Sequence, residues 1–338
     1  MTPVPIVASP DELVDLDVYV ALDRFFGRTM FLRCEGFNFG GSIKLRSAAA
    51  MVADAERTGV LRPDSHLIES SSGNLGVALA VIAAGRGLSF TCVTDERCNQ
   101  ATVDVMRALG ATVIVVSAPE PPGGFLRARV EKVRAMCTAD PRFVWLNQYR
   151  NPANWRAHYE ITAPAIAARF PDLDVVFCGA GSGGTVMGCA RYFRDAGRRT
   201  RVVAVDAVGS ANFGHPPGPR LIPGVGAGVP APLLDGDVVD GVVRVAEIDT
   251  IRMCRTLAAG GLLMGGSTGT VCGGALDWLS RHDPDRALSS VVIGADLGER
   301  YVNTIYDDEW VVRHFGRAAL EPLVSGGNGA LRLRAGLG

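Results

Sequence analysis

Lysine is nearly absent from this chain. Of 34 lysine and arginine residues in 338, two are lysines, Lys44 and Lys132, which leaves 32 arginines. Wherever a plain cation serves, the chain uses arginine, so a retained lysine points to chemistry that needs an amine able to lose its proton. Other shortages exclude whole classes of function. A formal net charge of −1 gives no electrostatic basis for binding nucleic acid or an anionic membrane. No apolar run reaches the length of a membrane-crossing helix, and the acidic stretch Asp11, Glu12, Asp15, Asp17 is unlike a secretory leader. The eight cysteines stand singly, without a C-x-x-C pair, and histidines show no ligand-like spacing. Cys92, Cys178 and Cys272 fall in apolar stretches and read as small core residues. These shortages together imply a reduced, cytoplasmic, metal-free protein.

What is present is a large apolar fraction, 48% over 338 residues, enough for a substantial core and two domains. Strand and helix patterns alternate. Strands are expected at 31–35, 66–69, 89–94, 112–116, 143–146, 175–178, 201–206 and 291–293. Helices are expected at 11–23, 48–57, 73–84, 99–109, up to 136, 155–170, 185–196, 250–259 and 268–280. Such alternation means an α/β protein with mainly parallel sheets. Residues 214–232 form a Gly/Pro-rich loop, and the Gly-rich tail at 325–338 is expected to be disordered.

Lys44 lies in Gly40-Gly41-Ser42-Ile43-Lys44-Leu45-Arg46. Two glycines make a tight turn, Ser42 can cap a helix, and an Ala-rich amphipathic run follows. An amine in the first helical turn feels the positive end of the dipole, which eases loss of its proton and suits Schiff-base chemistry. Lys132 sits in a run of charges and reads as solvated surface. The ordinary alternative for Lys44 is also a surface lysine.

Three further turns enter helices. Glu69-Ser-Ser-Ser-Gly-Asn-Leu-Gly76 offers hydroxyls, an amide and N–H groups that suit a carboxylate, although a plain helix cap is the simpler reading. Gly179-Ala-Gly-Ser-Gly-Gly-Thr185 gives successive N–H groups that suit a phosphate. No acid is spaced after it as a dinucleotide fingerprint requires. Gly265-Gly-Ser-Thr-Gly-Thr270 places Ser267 where a hydroxyl can meet a heteroaromatic nitrogen or simply cap a helix.

An amine, a carboxylate turn, a phosphate turn and a lone serine are together what pyridoxal 5'-phosphate requires. In order and wording, residues 15–310 resemble the cysteine synthase family of fold-type II pyridoxal-phosphate enzymes. Gly40-Gly-Ser-Ile-Lys44, Ser72-Gly-Asn74 and Gly266-Ser-Thr-Gly269 carry the family likeness. His66-Leu-Ile-Glu-Ser70, Asn147-Gln-Tyr149 and Leu221-Ile-Pro-Gly-Val-Gly226 add to it. The first two of these resemble the branch of N-(2-amino-2-carboxyethyl)-L-glutamate synthases, which serve 2,3-diaminopropionate formation for siderophores and peptide antibiotics.

The resemblance implies a tryptophan synthase β-like fold with two three-layer α/β domains and mainly parallel sheets. Residues 1–45 with 156–324 would form the larger, cofactor-binding domain, and 46–155 a smaller, mobile one. A homodimer is also implied. Lys44 would bear the cofactor as a Schiff base and act as the base. Asn74 would bond the cofactor's 3-oxygen, Ser267 its ring nitrogen, and Gly181, Ser182, Gly183, Gly184 and Thr185 its phosphate. Ser71, Ser72, Gly73 and Gln148 would take the amino-acid carboxylate, and Gly226 would approach the substrate amine. Arg129 and Tyr149 would take the leaving phosphate of O-phospho-L-serine, with a solvated helix face as the alternative for Arg129. A serine rather than an aspartate at the ring nitrogen implies a weak electron sink suited to β-replacement. One departure stands out: Gly181 occupies a turn position where relatives of the branch carry Ser or Thr, as ordinary cysteine synthases do not. A cysteine synthase using O-acetylserine or phosphoserine with sulfide is therefore the rival, and a non-catalytic phosphate- or nucleotide-binding module a distant third.

Overall fold

The computed structural model describes residues 6–14, 16–120, 124–321, 324–326 and 330–332. By contacts the chain divides into two compact units, 1–16 with 37–154, and 17–36 with 155–338. In chain order, β1 (Tyr19–Ala21), α1 (Asp23–Phe26) and β2 (Met30–Cys34) open the second unit. The first unit follows with α2 (Lys44–Arg57), β3 (His66–Ser70), α3 (Asn74–Arg86), β4 (Ser89–Asp95), α4 (Gln100–Ala108), β5 (Thr112–Val116), α5 (Gly124–Ala139) and β6 (Phe143–Trp145). Then come α6 (Pro152–Ala157), α7 (Ala163–Arg169), β7 (Val175–Gly179), α8 (Gly184–Asp195), β8 (Arg201–Ala207) and β9 (Gly241–Val245). The series closes with α9 (Glu247–Ala259), α10 (Gly266–His282), β10 (Ser290–Gly294), α11 (Asp308–Phe315), β11 (Val324–Gly326) and β12 (Ala330–Arg332).

In the first unit four parallel strands run in the order β5-β4-β3-β6. The chain moves outward from β3 to β5, then returns to place β6 on the other side of β3. That reversal is a switch point, where the turns leaving the strands diverge and open a crevice at their carboxyl ends. Ser71 follows β3 and Leu146 follows β6, so the Ser-rich turn and Asn147-Gln-Tyr149 are brought together. α3 is almost wholly apolar (Leu75, Val77, Leu79 and Ile82 are buried), as expected of a helix covered on all sides.

The second unit holds six strands in the order β1-β2-β10-β7-β8-β9, all parallel except β1 against β2. Val175, Val176, Phe177 and Cys178 are buried without alternation, the pattern of an interior parallel strand. Here too the chain reverses beside one strand. β8 and β9 lie on one side of β7, and β10 lies on the other. The glycine turn after β7 and Asp296 after β10 therefore share one end of the sheet.

Two differences from the sequence reading have physical causes. The helix expected at 11–23 is instead a short turn at Pro10–Glu12, then β1 and α1. The fully buried Arg33 draws Asp17 and Tyr19 into side-chain bonds, which holds this segment extended along β2. The single helix expected at 155–170 is broken by a π-helical turn at His158–Thr162. Pro164 lacks the N–H that would bond the Glu160 carbonyl, and widening the helix just before it relieves the crowding. β9 and α11 were not foreseen. Of the tail at 325–338, only 325–326 and 330–332 lie within the described residues, in the antiparallel pair β11–β12.

Candidate active site

Lys44 is the first residue of α2 and is partly buried, whereas Lys132 is exposed. Ile43, not Ser42, occupies the cap position, and the Ser42 hydroxyl accepts from the Lys44 N–H at 3.4 Å. Asn38 shapes the approach: its amide donates to the Ser42 carbonyl at 3.0 Å and its oxygen accepts from the Gly40 N–H at 3.0 Å. The buried Arg46 guanidinium donates to the Val14 carbonyl at 2.6 Å. The lysine thus stands on a helix start pinned from both sides.

At the switch point of the same unit, Gly73 occupies the cap position of α3, and the inward-facing Ser71 hydroxyl accepts from Gly76 N–H at 3.0 Å. Ser72, Gly73 and Asn74 are partly exposed at the start of α3. The first turn of this helix keeps N–H groups without intrahelical partners, so a carboxylate can be received there. Gln148 is buried; its side-chain amide donates to the Ser70 carbonyl at 3.0 Å and its backbone carbonyl accepts from the Asn154 amide at 2.8 Å. Beneath it lies Glu69, fully buried, which accepts from Trp145 Nε1 at 2.9 Å, Ser70 N–H at 2.8 Å and Gln148 N–H at 3.2 Å. Burial pushes its carboxyl up to about 7, against the pull of these donors. Asn147 takes a left-handed backbone (φ 56), which turns the chain after β6 back toward Glu69.

Arg129 does not lie on a solvated face. Its side chain is 8% exposed and pairs with Asp95, Nε to Oδ2 at 3.2 Å, while Arg127 and Arg134 are 46% and 56% exposed. Nε and Nη1 of Arg129 are buried without a hydrogen-bond partner of good geometry. A guanidinium in that state is a ready receptor for an oxyanion. Burial raises the Tyr149 phenol above its ordinary value, and the nearby Arg129 charge offsets part of that rise.

In the second unit the glycine turn fits a phosphate. A side chain on Gly181 would meet the Gly224 carbonyl at 2.7 Å, and Gly183 has φ +93 with Leu234 against it. Asn212, fully buried, donates to the carbonyls of Ala180 (3.2 Å) and Gly181 (3.3 Å), and Gly226 N–H donates to Ala180 at 2.8 Å. With these carbonyls held away, the turn presents N–H groups at the start of α8, the arrangement that anions favour. Ser182 and Thr185 are buried in the turn. Ser267, at the start of α10, is also buried, and Gly224 lies against it. Sequence reasoning missed Asn212, Asp296 and His158, because each acts across a fold contact that no local pattern marks. Among the described residues no group of three or more His, Cys, Asp or Glu is arranged to hold a metal ion. No helix among them is long and apolar enough to cross a membrane.

Comparison with known proteins bears on this arrangement. A family model described as "Pyridoxal-phosphate dependent enzyme" matches residues 18–294. Two relatives described as N-(2-amino-2-carboxyethyl)-L-glutamate synthase are each 40% identical to this chain. The one from Cupriavidus metallidurans aligns over 313 residues, 90% of this chain and 92% of the relative. The one from Ralstonia nicotianae aligns over 286 residues, 84% of each. A hydrogen sulfide-producing enzyme from Fusobacterium nucleatum superposes with a TM-score of 0.81 at 30% identity, covering 88% of this chain and 100% of that one. An O-acetylserine-dependent cystathionine beta-synthase from Helicobacter pylori does so with a TM-score of 0.82 at 28% identity, covering 90% and 100%.

Proposed function

Because the chain belongs to the pyridoxal-phosphate-dependent enzyme family, we propose that it makes N-(2-amino-2-carboxyethyl)-L-glutamate from O-phospho-L-serine and L-glutamate, releasing phosphate. The single observation that carries this reading is the 40% identity, over most of the chain, to two relatives of that name. The likeness at His66–Ser70 and Asn147–Tyr149 agrees with it.

When bound, the cofactor supplies an electron-withdrawing ring that stabilises negative charge at the substrate α-carbon. The chain supplies the rest. Lys44 would hold the cofactor through its aldehyde, and its amine is the group that would take the α-proton of phosphoserine and later return one. Ser72, Gly73 and the start of α3 hold the substrate carboxylate, with Ser71 and Gln148 shaping that turn from below. Asn74 would bond the 3-oxygen, Ser267 would face the ring nitrogen, and residues 181–185 would hold the cofactor phosphate. Arg129, beside Tyr149, takes the phosphate that departs as the Cβ–O bond breaks. The glutamate nitrogen then forms the new Cβ–N bond and loses a proton. Gly226, tied to Ala180, lines the substrate amine. The family resemblance supports a cytoplasmic homodimer.

One observation favours a second reading. Gly181 has no hydroxyl for a phosphorylated donor and no room for a side chain beside Gly224. That turn suits an acetylated donor, and with sulfide the chain would make cysteine. Incubation with phosphoserine or O-acetylserine, against glutamate or sulfide, and identification of the product by mass separates the two. The glutamate adduct with phosphate release is the expected product; rapid cysteine formation without the adduct would overturn the first reading.

A further inference from the structure

Ser267 was expected to leave the cofactor ring nitrogen without a proton, because a serine carries no charge. Its surroundings in the fold change that expectation. The Ser267 hydroxyl donates to Asp296 Oδ1 at 2.7 Å, and Asp296 is fully buried. The second oxygen, Oδ2, accepts from the Tyr301 hydroxyl. The backbone carbonyl of Asp296 accepts from Gly265 N–H at 3.1 Å and from the Thr268 hydroxyl at 3.3 Å. A side chain on Gly265 would come within 2.2 Å of Oδ1, so this glycine is what lets the carboxylate lie against the start of α10. The carboxylate is thus fixed directly behind Ser267 by contacts from both ends of the segment 265–301.

A hydroxyl has one proton to give. Hydrogen bonds to an ionised acceptor are roughly twice as strong as neutral ones, so a carboxylate outcompetes a neutral pyridine nitrogen for that proton. The lone pairs left on Ser267 Oγ would repel an unprotonated nitrogen and attract an N–H. A buried negative charge one oxygen further on adds to that preference.

We infer that Asp296 is a positioning residue for the cofactor: it takes the Ser267 hydroxyl hydrogen bond, so that Ser267 meets the ring nitrogen as an acceptor and that nitrogen carries a proton. The inference rests on the proposed placement of Ser267 at the ring nitrogen. The extra proton comes from solvent as the cofactor binds, and Ser267 keeps its own, because both Asp296 side-chain oxygens act as acceptors, one from Ser267 and the other from Tyr301. Ser267 and Asp296 together then do what a lone aspartate at the ring does, and the electron sink is deeper than a serine implies.

The test is the ¹⁵N resonance of ring-labelled cofactor in the holoenzyme. The wild type is expected in the protonated range. Asp296→Asn, which keeps the shape and removes the charge, is expected to move it to the unprotonated range while the visible absorption of bound cofactor persists. Tyr301→Phe is expected to leave the nitrogen protonated. An unprotonated nitrogen in the wild type overturns the proposal, as does a proton that survives Asp296→Asn. Should Asp296→Asn fail to fold, Ser267→Ala decides: loss of the proton supports the inference, and its persistence overturns it. The same variant separates the two layers of the argument. A protonated wild type indifferent to Ser267→Ala shows that Ser267 does not face the ring, whereas an unprotonated wild type whose resonance moves on Ser267→Ala keeps the placement and rejects only the role of Asp296.

Discussion

His158 Nε2 lies 3.4 Å from the hydroxyl oxygen of Thr185, and its other ring nitrogen lies 2.9 Å from the Thr162 hydroxyl. The histidine is fully buried in the π-helical turn, and its Cβ leaves no room for a side chain on Gly188 of α8. A break in one helix thereby supports the first turn of another, where the cofactor phosphate is proposed to sit. Replacing His158 by Phe removes this support and leaves both hydroxyls less well paired. A hydrogen bond of this kind is worth about 1 kcal/mol, so cofactor affinity is expected to fall by about fivefold. Titration of the cofactor-free protein checks this, with His158→Gln as the milder control.

Gly181 is required by the close approach of the Gly224 carbonyl. Gly181→Ser must push the 209–232 loop outward or distort the phosphate turn, and either weakens cofactor binding by about tenfold or more. The measurement is the cofactor dissociation constant. Should the variant bind as well as wild type and turn over phosphoserine faster, the loop has yielded and the glycine is a matter of donor choice.

The Glu69 carboxyl, pushed up to about 7 by burial from an ordinary 4.5, governs a pH effect. Between those values the folded protein holds a proton that the unfolded chain has released. Stability therefore falls as pH rises through that window and levels off above it. Glu69→Gln removes the titration. Urea midpoints at about pH 5 and about pH 7.5 are expected to converge in the variant relative to wild type.

Asn147 holds a left-handed backbone at φ 56 next to the buried Gln148. Asn147→Val is expected to cost about 1–2 kcal/mol, since a branched side chain resists that region, whereas Asn147→Gly stays near wild type. Denaturant unfolding measures both. Because the turn carries Gln148, the Val variant should also raise KM for the amino-acid donor.

Much of the candidate site consists of residues close together in sequence. Glycines, small hydroxyls and an amide at a strand-to-helix turn mark their chemistry locally, which is why Lys44, the Ser72–Asn74 turn and the 179–185 turn stand out. Arg129 could be named but not distinguished from its neighbours Arg127 and Arg134, because only tertiary packing puts Asp95 beside it. Asp296, Asn212 and His158 were silent. Each reaches a site residue across a long loop of chain, between 27 and 32 positions away. The antiparallel edge β1 was hidden for a related reason. Its extended form depends on the buried Arg33 rather than on its own pattern.

The central claim is that one amine of the chain holds the cofactor, and the scarcity of lysine makes it directly testable. Reduction of the loaded protein with borohydride, cleavage after arginine and mass spectrometry locate the fixed cofactor. With two lysines in the sequence, the answer is unambiguous. The account predicts the added mass on the peptide carrying Lys44, and its loss in Lys44→Ala but not in Lys132→Ala. Added mass on the Lys132 peptide, or on neither, would contradict it.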